Sequence, residues 1–440
     1  MAVLYIDNFR GFNNAFLPLN DINFFVGENS TGKTSILKLI KIISSDTFWF
    51  DLELNSTPTE LGYYSEIANQ NSEKKYFEIG LVSSFKKDED ATNINAVKIR
   101  YTNENGQPTA SELSFIEGGL NIQATFRGSD IKYKYSNIDS KKIENISDLE
   151  FLKDWVKDNG LKRLRYKKME KIKGNMFSKV PFFQLQNVII NELKKEKDND
   201  NSYRITIPRF LNEIIWLAPI RTEPRRTYDS YKTTFNPTGL HTPYLLKSML
   251  SIDSAKKNKA IANDIQILNK FGRDSGLFDS VQINMLGNKE DSPFEIHILL
   301  NGRPLKITNV GYGVSQILPV VIEVIMSNKN SWFSIQQPEI HLHPRGQAAF
   351  GDFIFDIQDK ENKKFIIETH SDYIIDRFRI RINRKKGDFD KSCQIVFFRR
   401  DDTGNSFFCI PINKDGSLPD DQPSDFRDFF IREGLELLQI

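Results

Sequence analysis

The sequence has few cysteines, no long apolar run and no excess of charge of either sign, and each shortage excludes a class of protein. Two cysteines among 440 residues are too few for a disulfide framework or a four-cysteine zinc site. No apolar run approaches the roughly 20 residues that a membrane-spanning helix needs. The opening MAVLYIDNFRGF lacks the basic segment and long apolar core of a secretion signal, and its pattern is typical of a strand. A reducing, cytoplasmic setting without a membrane partner is therefore expected.

The charge balance limits what can be said about nucleic acid. The formal net charge is +2, so any surface that binds nucleic acid has to be a local basic patch. Two runs could form one, LKRLRYKKMEKIK (161–173) and RIRINRKKG (379–387). Such runs are usually the solvated faces of helices, and docking of nucleic acid or of a partner protein is the alternative for each.

Alternating apolar and polar residues predict strands in the first third of the chain. The runs AVLYIDNF and NDINFFVG each fit a short strand, and Ser35–Ile43 has apolar residues at helical spacing. Several alternating runs over Tyr76–Tyr135 predict an antiparallel lobe, with a hairpin turn at NENG, Asn103–Gly106. Residues 1–140 are expected to hold the first part of a domain together with this lobe.

The character of the chain changes at residue 141 and again near residue 200. Dense charge, apolar residues at helical spacing and the solvated stretch KKEKDNDN predict a helical insertion over 141–200. Near the C-terminus the buried runs SWFSIQ, KKFIIET and SCQIVFFRR alternate with helical patterns, which is typical of an α/β fold with a parallel sheet. Residues 201–440 are expected to complete the domain that 1–140 begins.

The stretch GENSTGKT, Gly27–Thr34, matches the pattern G-x-x-x-x-G-K-[ST] in full. An apolar strand precedes it and an amphipathic helix follows, as the pattern requires. Its glycines let backbone N–H groups converge on phosphate oxygens, Lys33 adds a positive charge, and the Thr34 hydroxyl can ligate Mg²⁺. The stretch predicts a phosphate-binding loop for a nucleoside triphosphate, with a glycine-rich structural turn as the alternative.

Three more motifs follow in the second half: VGYGVSQ at the start of a predicted helix, QQPEIHLHP after one buried strand and ETHSDYII at the end of another. With NFRGF and GENSTGKT, they stand in the order found in ABC-type ATPases of the SMC/RecF/OLD superfamily, which the chain resembles over about 1–50 and 205–440. WLAPIRTEPRR and INKDGSLPDDQPSDFRDFF resemble a bacterial subgroup of anti-phage ATPases, among them OLD-like, Septu-like and PARIS-like proteins. The resemblance implies an α/β fold: an ABC-type P-loop ATPase head with a mostly parallel sheet core, an antiparallel β lobe and a helical insertion.

The resemblance also implies a role for each motif, with ATP and Mg²⁺ as cofactors. Gly27–Thr34 is the Walker A loop, and Ser315 with Gly313 corresponds to the ABC signature, which contacts a γ-phosphate held by another subunit. His370 corresponds to the switch histidine that senses the γ-phosphate, and Arg10 to a basic residue near the phosphates. ATP is therefore expected to join two heads. The expected nucleotide contacts are Arg10, Gly27, Glu28, Asn29, Ser30, Thr31, Gly32, Lys33, Thr34, Ser35, Gly313 and Ser315.

The end of the strand SWFSIQ departs from the family pattern. ABC proteins carry Asp-Glu there, a metal-side carboxylate and then the catalytic base, whereas this chain has Gln336 and Gln337. An amide oxygen is a weaker Mg²⁺ ligand than a carboxylate, and it cannot take a proton from water. We therefore expect Thr34 and Gln336 at the metal, and Glu339 with Gln337 and His370 at the reacting phosphate. Glu339 would serve as the base or as a metal contact. Slow hydrolysis is the expectation, and an ATP-held clamp with negligible turnover is the alternative.

Other polar residues have simpler explanations. His341 and His343 in HLHP are poorly spaced for a zinc site and have no cysteine beside them. Arg221, in APIRTEPRR, could contact phosphate or form an internal ion pair, and the sequence leaves both open. About 70 residues follow His370, and they lack the carboxylate constellation of a two-metal nuclease.

The functional expectation combines these motifs. The chain should be an ATPase subunit that pairs with itself as a head-to-head dimer or higher oligomer and regulates a separate effector, expected to be a nuclease, in bacterial anti-phage defence. DNA or a phage protein would be the trigger. A RecF- or SMC-like DNA-binding ATPase of repair or chromosome maintenance is one alternative, and a non-hydrolysing, ATP-locked scaffold is the other.

Overall fold

The computed structural model describes residues 2–56, 59–70, 72–88, 91–117, 120–127, 130–138, 147–168, 212–229, 234–251 and 259–426. The strands in these ranges are β1 (Ala2–Asp7), β2 (Ala15–Leu19), β3 (Ile22–Gly27), β4 (Asn55–Ser56), β5 (Thr59–Glu60), β6 (Tyr76–Asp88), β7 (Ala91–Glu104), β8 (Gln107–Glu117), β9 (Leu120–Arg127), β10 (Asp130–Asn137), β11 (Lys167–Lys168), β12 (Ile214–Leu217), β13 (Ser280–Met285), β14 (Phe294–Leu300), β15 (Arg303–Lys306), β16 (Trp332–Gln336), β17 (Lys364–Glu368), β18 (Cys393–Asp401) and β19 (Gly404–Pro411).

The helices in the same ranges are α1 (Lys33–Ser44), α2 (Phe48–Asp51), α3 (Tyr64–Ile67), α4 (Asp148–Lys157), α5 (Thr242–Leu250), α6 (Lys259–Ser275), α7 (Tyr312–Met326), α8 (Pro344–Glu361) and α9 (Asp372–Arg384). None of them is long and apolar enough to cross a membrane. The chain divides into two compact units. The first holds Met1–Asn20, Glu28–Ile214 and Phe398–Cys409, and the second holds Asp21–Gly27, Ile215–Phe397 and Ile410–Ile440.

The first unit is built on an antiparallel sheet, which confirms the predicted lobe. Its strand order is β11-β10-β9-β8-β7-β6-β1-β2, so the N-terminal strand β1 pairs with β6 and extends the lobe. The predicted hairpin turn lies between β7 and β8, where Asn105 (φ 52°) and Gly106 (φ 85°) take the two positive φ values that a tight turn of this kind requires. Sequence periodicity did not predict β2, which contains Pro18 and forms the edge of the sheet.

Part of the predicted insertion packs against this sheet. The helix α4 begins after Ser147, whose hydroxyl accepts the Glu150 N–H in a capping box. Its Leu152 and Trp155 are buried in one apolar cluster with Val3 and Tyr5. The predicted helix is confirmed over Asp148–Lys157. The rest of the described insertion, 158–168, is not helical and ends in the strand β11, so the prediction of a helix is wrong there. Residues 141–146 and 169–200 lie outside the described residues.

The second unit contains the predicted parallel core. In this unit β12, β16, β17 and β3 lie side by side in that order in one sheet, and both the β16–β17 and β17–β3 pairs are parallel. The helix α8 connects β16 to β17, and α9 follows β17, as parallel strands require a crossover. β16 is buried throughout and β17 over all but its first residue, which explains their continuous apolar sequences. A smaller antiparallel sheet, β13-β14-β15, completes the described strands of this unit.

Candidate functional site

The loop between β3 and α1 has the backbone of a phosphate-binding loop. Gly27 (φ 134°), Ser30 (φ 63°) and Gly32 (φ 93°) all have positive φ values. A Cβ atom on Gly32 would lie 2.5 Å from the ring of Phe12, so no other residue fits there. The helix α1 begins at Lys33 with no side-chain cap and no acidic residue in its first turn. Its N-terminus therefore keeps the positive field that favours an anion.

The Lys33 side chain closes this loop. It is 4% exposed, and its Nζ donates a hydrogen bond to the backbone oxygen of Glu28 at 2.6 Å. The Thr31 hydroxyl donates to the same oxygen at 2.8 Å. Glu28, Asn29, Ser30 and Thr34 are exposed at the surface of the loop, and Ser35 is half-buried. The loop is thus held in shape by its own side chains, with its outer residues open to a ligand.

The backbone around Arg10 is held in a left-handed conformation (φ 47°). Its N–H donates to Ile67 O at 2.7 Å, its Nη2 donates to the carbonyl of Leu61, and its own carbonyl accepts from Asn405 Nδ2 at 2.6 Å. Burial lowers the pKa of the guanidinium. These contacts all lie within the first unit, and the role of Arg10 at the phosphates stays a prediction.

Three parallel strands of the second unit end at one edge of the sheet. Phe25 of β3 is the register partner of Glu368 of β17, which is in turn the partner of Gln336 of β16. Just beyond this row, Thr369 N–H donates to Phe25 O at 3.0 Å and Gln337 N–H donates to Glu368 O at 2.8 Å. Gly27, where the phosphate-binding loop begins, lies at this same edge because it ends β3. Ligands of open α/β sheets bind at the carboxyl ends of the strands.

A group of polar side chains gathers at this edge, and we call it the strand-end cluster: Arg221, Gln336, Glu339, Glu368 and His370. Gln336 is buried, and its amide nitrogen donates to Glu368 Oε2 at 2.7 Å. Its amide oxygen accepts from the indole N–H of Trp216 at 3.2 Å. Sequence reasoning did not predict Glu368 or Trp216 as site residues, although a glutamate that ends a buried strand just before Thr-His-Ser was a visible signal.

Glu339 is held inside the strand-end cluster. Its Oε1 accepts the backbone N–H of His370 at 2.7 Å, whereas its buried Oε2 has no hydrogen-bond partner among the residues that the structure describes. Burial raises the pKa of this carboxyl, and the charge of Glu368 adds to the rise. A raised pKa brings a carboxylate nearer to the value at which it can accept a proton from water at neutral pH. His370 itself is exposed.

Arg221 approaches the cluster from the segment after β12. It is 3% exposed, its Nη2 donates to the backbone oxygen of Gln336 at 2.9 Å, and the Gln316 side chain bonds to both its N–H and its carbonyl. Its Nε and Nη1 are buried without a hydrogen-bond partner in the described part of the chain. Burial lowers its pKa to about 10. Among the described residues, hydrogen bonds hold Arg221, and the choice between phosphate contact and internal ion pairing stays a prediction.

The helix α7 carries the signature-like motif. Its N-terminus is open: Gly311 and Tyr312 are exposed, and a Cβ atom on Gly311 would meet nothing within 4 Å. Gly313 lies against the loop after β16, because a Cβ atom there would be 2.7 Å from the His341 carbonyl oxygen. Ser315 is 6% exposed and its hydroxyl donates to Tyr312 O at 2.8 Å. A partner subunit would thus meet the helix N-terminus first, and the contact through Ser315 stays a prediction.

Both histidines of HLHP contact neighbouring residues in the described part of the chain. The ring of His341 packs edge-on against Tyr312, with 5.1 Å between centroids, and His343 Nδ1 accepts the Arg345 N–H at the start of α8. Among the described residues, no group of three or more histidine, cysteine or acidic side chains could hold a metal ion. Any Mg²⁺ here would need the phosphates of a nucleotide as ligands, which is how proteins usually bind this ion.

Residues 1–375 match the family model described as the AAA ATPase domain. No curated protein matches the sequence significantly. The match to the family confirms the ATPase expected from the motifs.

Solved SMC head domains are similar in structure at low scores. The SMC head bound to the C-terminal winged-helix domain of ScpA has 14% identity and a TM-score of 0.42, covering 94% of this chain and 98% of that one. The Pyrococcus furiosus SMC head bound to the C-terminal domain of ScpA has 12% identity and a TM-score of 0.40, covering 100% and 99%. The Thermotoga maritima SMC head domain has 12% identity and a TM-score of 0.37, covering 93% and 98%. Scores this low support no conclusion about partners.

Proposed function

This chain belongs to the AAA ATPase domain family, and from that premise we propose that it binds Mg²⁺ and ATP at the Gly27–Thr34 loop and hydrolyses the nucleotide slowly. We further propose that bound ATP joins two copies of the chain and that this joining controls a separate effector, expected to be a nuclease, in bacterial anti-phage defence. DNA or a phage protein is the proposed trigger.

The observation that supports ATP binding is the loop itself. Its glycines have positive φ values, which residues with side chains rarely adopt. The loop leads into the positive N-terminal end of α1, and Lys33 is the first residue of that helix. Such a loop suits a polyphosphate, because several N–H donors and one ammonium group converge on the same place. Isothermal titration with ATP tests this directly, and a chain that binds no nucleotide would remove the proposal.

The donor set fits Mg²⁺ when a nucleotide is present. Thr34 offers a hydroxyl oxygen, and the strand-end cluster has two carboxyl groups, those of Glu339 and Glu368. Oxygen ligands from one or two carboxylates and from phosphates are the set that Mg²⁺ prefers. When bound, the ion would neutralise charge on the phosphates. Gln336 contributes at most an amide oxygen that already accepts a hydrogen bond from Trp216.

The proposed base is Glu339. Its Oε2 has no hydrogen-bond partner among the residues placed by the structure, and burial raises the pKa of its carboxyl. The expected step is removal of a proton from water at Glu339 Oε2 as the water oxygen attacks the γ-phosphorus, while the bond from that phosphorus to the bridging oxygen breaks and ADP leaves with the electron pair. The side-chain amide of Gln337 cannot accept this proton. The backbone of Gln337 is in the left-handed region, with a φ of 43°. A single carboxylate with a raised pKa, in place of an Asp-Glu pair, predicts slow turnover.

Arg221 is proposed to hold a phosphate oxygen. Two of its guanidinium nitrogens are buried and have no partner within the described ranges, and each such group costs about 1–3 kcal/mol unless a ligand satisfies it. A phosphate group accepts the planar guanidinium donors well. The side chain of Gln316, on α7, is hydrogen-bonded to the backbone N–H and carbonyl of Arg221. A phosphate bound to Arg221 would therefore also be linked to the signature-like helix.

Joining of two heads is proposed from the open end of α7. Gly311 and Tyr312 present a helix N-terminus to solvent, and a phosphate held by a second copy would find the favourable end of the helix dipole there. Light scattering with a non-hydrolysable ATP analogue tests the pairing. A mass that stays that of one chain would contradict it.

The effector and the anti-phage setting are proposed from the motif resemblance alone. Purification of the native protein from its host, followed by mass spectrometry of the co-purifying proteins, tests both. A nuclease that accompanies the protein supports the proposal, whereas recovery with repair or chromosome-maintenance proteins supports the RecF- or SMC-like alternative.

One observation favours a DNA-binding ATPase as the second candidate. At the outer edge of the antiparallel sheet, Lys167 lies over the ring of Tyr135 at 4.9 Å and Lys134 over that of Tyr166 at 4.7 Å. Tyr166 is 42% exposed. Lys132 of β10 and Lys168 of β11 are register partners on the paired strands next to it. Basic and aromatic side chains in one place suit a nucleic-acid strand. Salt-dependent binding of duplex DNA that stimulates the ATPase would favour this candidate.

A further inference from the structure

Next to the amide that replaces the expected carboxylate, the neighbouring strand carries a glutamate. Gln336 of β16 and Glu368 of β17 are register partners, and the Gln336 amide donates to Glu368 Oε2 at 2.7 Å. Both side chains are buried. In the sheet order, β17 lies between β16 and β3, so Glu368 is one strand nearer than Gln336 to the strand that leads into the phosphate-binding loop.

Hydrogen bonds fix the orientation of the Gln336 amide. An indole N–H can only donate, so Trp216 must face the amide oxygen, which it meets at 3.2 Å. An ionised carboxylate can only accept, so Glu368 must face the amide nitrogen. The Gln336 oxygen is therefore engaged by Trp216, and Glu368 supplies the carboxyl group of the pair.

A second observation points to a ligand at this edge. Arg221 is 3% exposed and bonds to the backbone oxygen of Gln336, yet its Nε and Nη1 have no partner among the described residues. Glu339 Oε2 in the same cluster has none either. Buried donors and acceptors without partners are costly, so both kinds at one strand end indicate that a polar ligand completes the site.

We propose that Glu368 is the carboxylate that interacts with Mg²⁺·ATP in this chain, and that Gln336 positions it. The family pattern places this carboxylate on the strand of Gln336, whereas here it stands on the adjacent strand, about 4.8 Å away. The charge needed beside the metal is kept, and the hydrogen bond to Gln336 limits the rotation of the Glu368 side chain. The inference deepens the proposed function and rests on it.

An exchange of the two side chains gives a sharp test. Glu368→Gln removes the charge while keeping the size of the side chain. The double variant Gln336→Glu with Glu368→Gln reverses the hydrogen bond and returns the carboxylate to the first strand. Glu290→Gln, an exposed position in the segment between β13 and β14, is the matched control.

Binding of a fluorescent, non-hydrolysable ATP analogue is measured with Mg²⁺ and with EDTA for each protein. In the wild type and in Glu290→Gln, Mg²⁺ should tighten binding at least tenfold, because a charged ligand contact is gained. Glu368→Gln should lose most of this gain and keep its affinity in EDTA, and the double variant should regain it. Electron paramagnetic resonance of Mn²⁺ bound with the analogue gives a second readout that does not depend on turnover.

The outcomes separate the inference from the proposed function. If Glu368→Gln keeps the full effect of Mg²⁺, the inference is wrong while ATP binding at the loop stands. If the wild type binds no analogue in either condition, the proposed function fails. Should Glu368→Gln unfold, the double variant decides: a restored effect of Mg²⁺ supports the inference, and its absence overturns it.

Discussion

Replacing Arg221 with methionine tests whether this arginine binds a ligand or stabilises the fold. The side chain is 3% exposed, and its guanidinium donates to Gln336 O at 2.9 Å. Burial lowers its pKa from 12.5 to about 10, with Glu339 offsetting part of the effect. At about 1.36 kcal/mol per pKa unit, this fall is a cost of roughly 3 kcal/mol for keeping the charge inside the folded chain.

Methionine removes that cost together with one charge-assisted hydrogen bond, which is worth about 1.5–3 kcal/mol. The two largely cancel, so the free energy of unfolding without nucleotide should change by less than about 2 kcal/mol. Breaking a structural buried ion pair would instead cost about 3–5 kcal/mol. Affinity for ATP with Mg²⁺ should fall at least tenfold, because a phosphate oxygen loses its charged donors.

Urea unfolding and titration with a non-hydrolysable ATP analogue measure the two quantities on the same protein. Arg225→Met is the matched control, since Arg225 is exposed on the same segment and should change neither. A loss of several kcal/mol in Arg221→Met with unchanged nucleotide affinity would show that Arg221 is a structural residue and would refute the reasoning.

Three further predictions concern Glu339 and the open end of α7. Glu339→Gln should lower steady-state phosphate release at least tenfold, whereas Gln337→Glu should not lower it; equal rates in Glu339→Gln and wild type would remove the base assignment. Because burial raises the Glu339 pKa above 4.5, the folded chain loses stability as pH rises through that raised pKa, and Glu339→Gln should flatten this loss in thermal unfolding from pH 4 to pH 8. Gly311→Arg fits sterically and should block ATP-dependent pairing in light scattering, while Asn328→Arg, beyond the other end of α7, should pair normally.

Most of the fold could be predicted from the sequence because burial follows periodicity. The parallel strands β16 and β17 are buried nearly throughout and read as continuous apolar runs, and the NENG turn needs the two positive φ values that asparagine and glycine tolerate. The strands β2 and β19 were not predicted. β2 contains Pro18, and β19 is mostly half-exposed, so neither has a clear apolar pattern.

The candidate site was predictable where the backbone dictates residue type. Gly32 must be glycine because of its positive φ and the ring of Phe12, and that requirement is visible as a motif. The pairing of Gln336 with Glu368 was not predictable, since it joins residues 32 positions apart through a sheet register. The burial of Ser315 depends on which side of α7 packs inward, and a motif alone does not tell which side that is.

Nucleotide binding by Lys33→Ala tests the central claim most directly. Isothermal titration of ATP with Mg²⁺ is carried out on the wild type, on Lys33→Ala and on Lys38→Ala, a half-buried lysine further along α1. If the Gly27–Thr34 loop holds the phosphates, the wild type and Lys38→Ala bind with similar affinity and Lys33→Ala loses at least tenfold. Binding by Lys33→Ala as tight as that of the wild type would contradict the account.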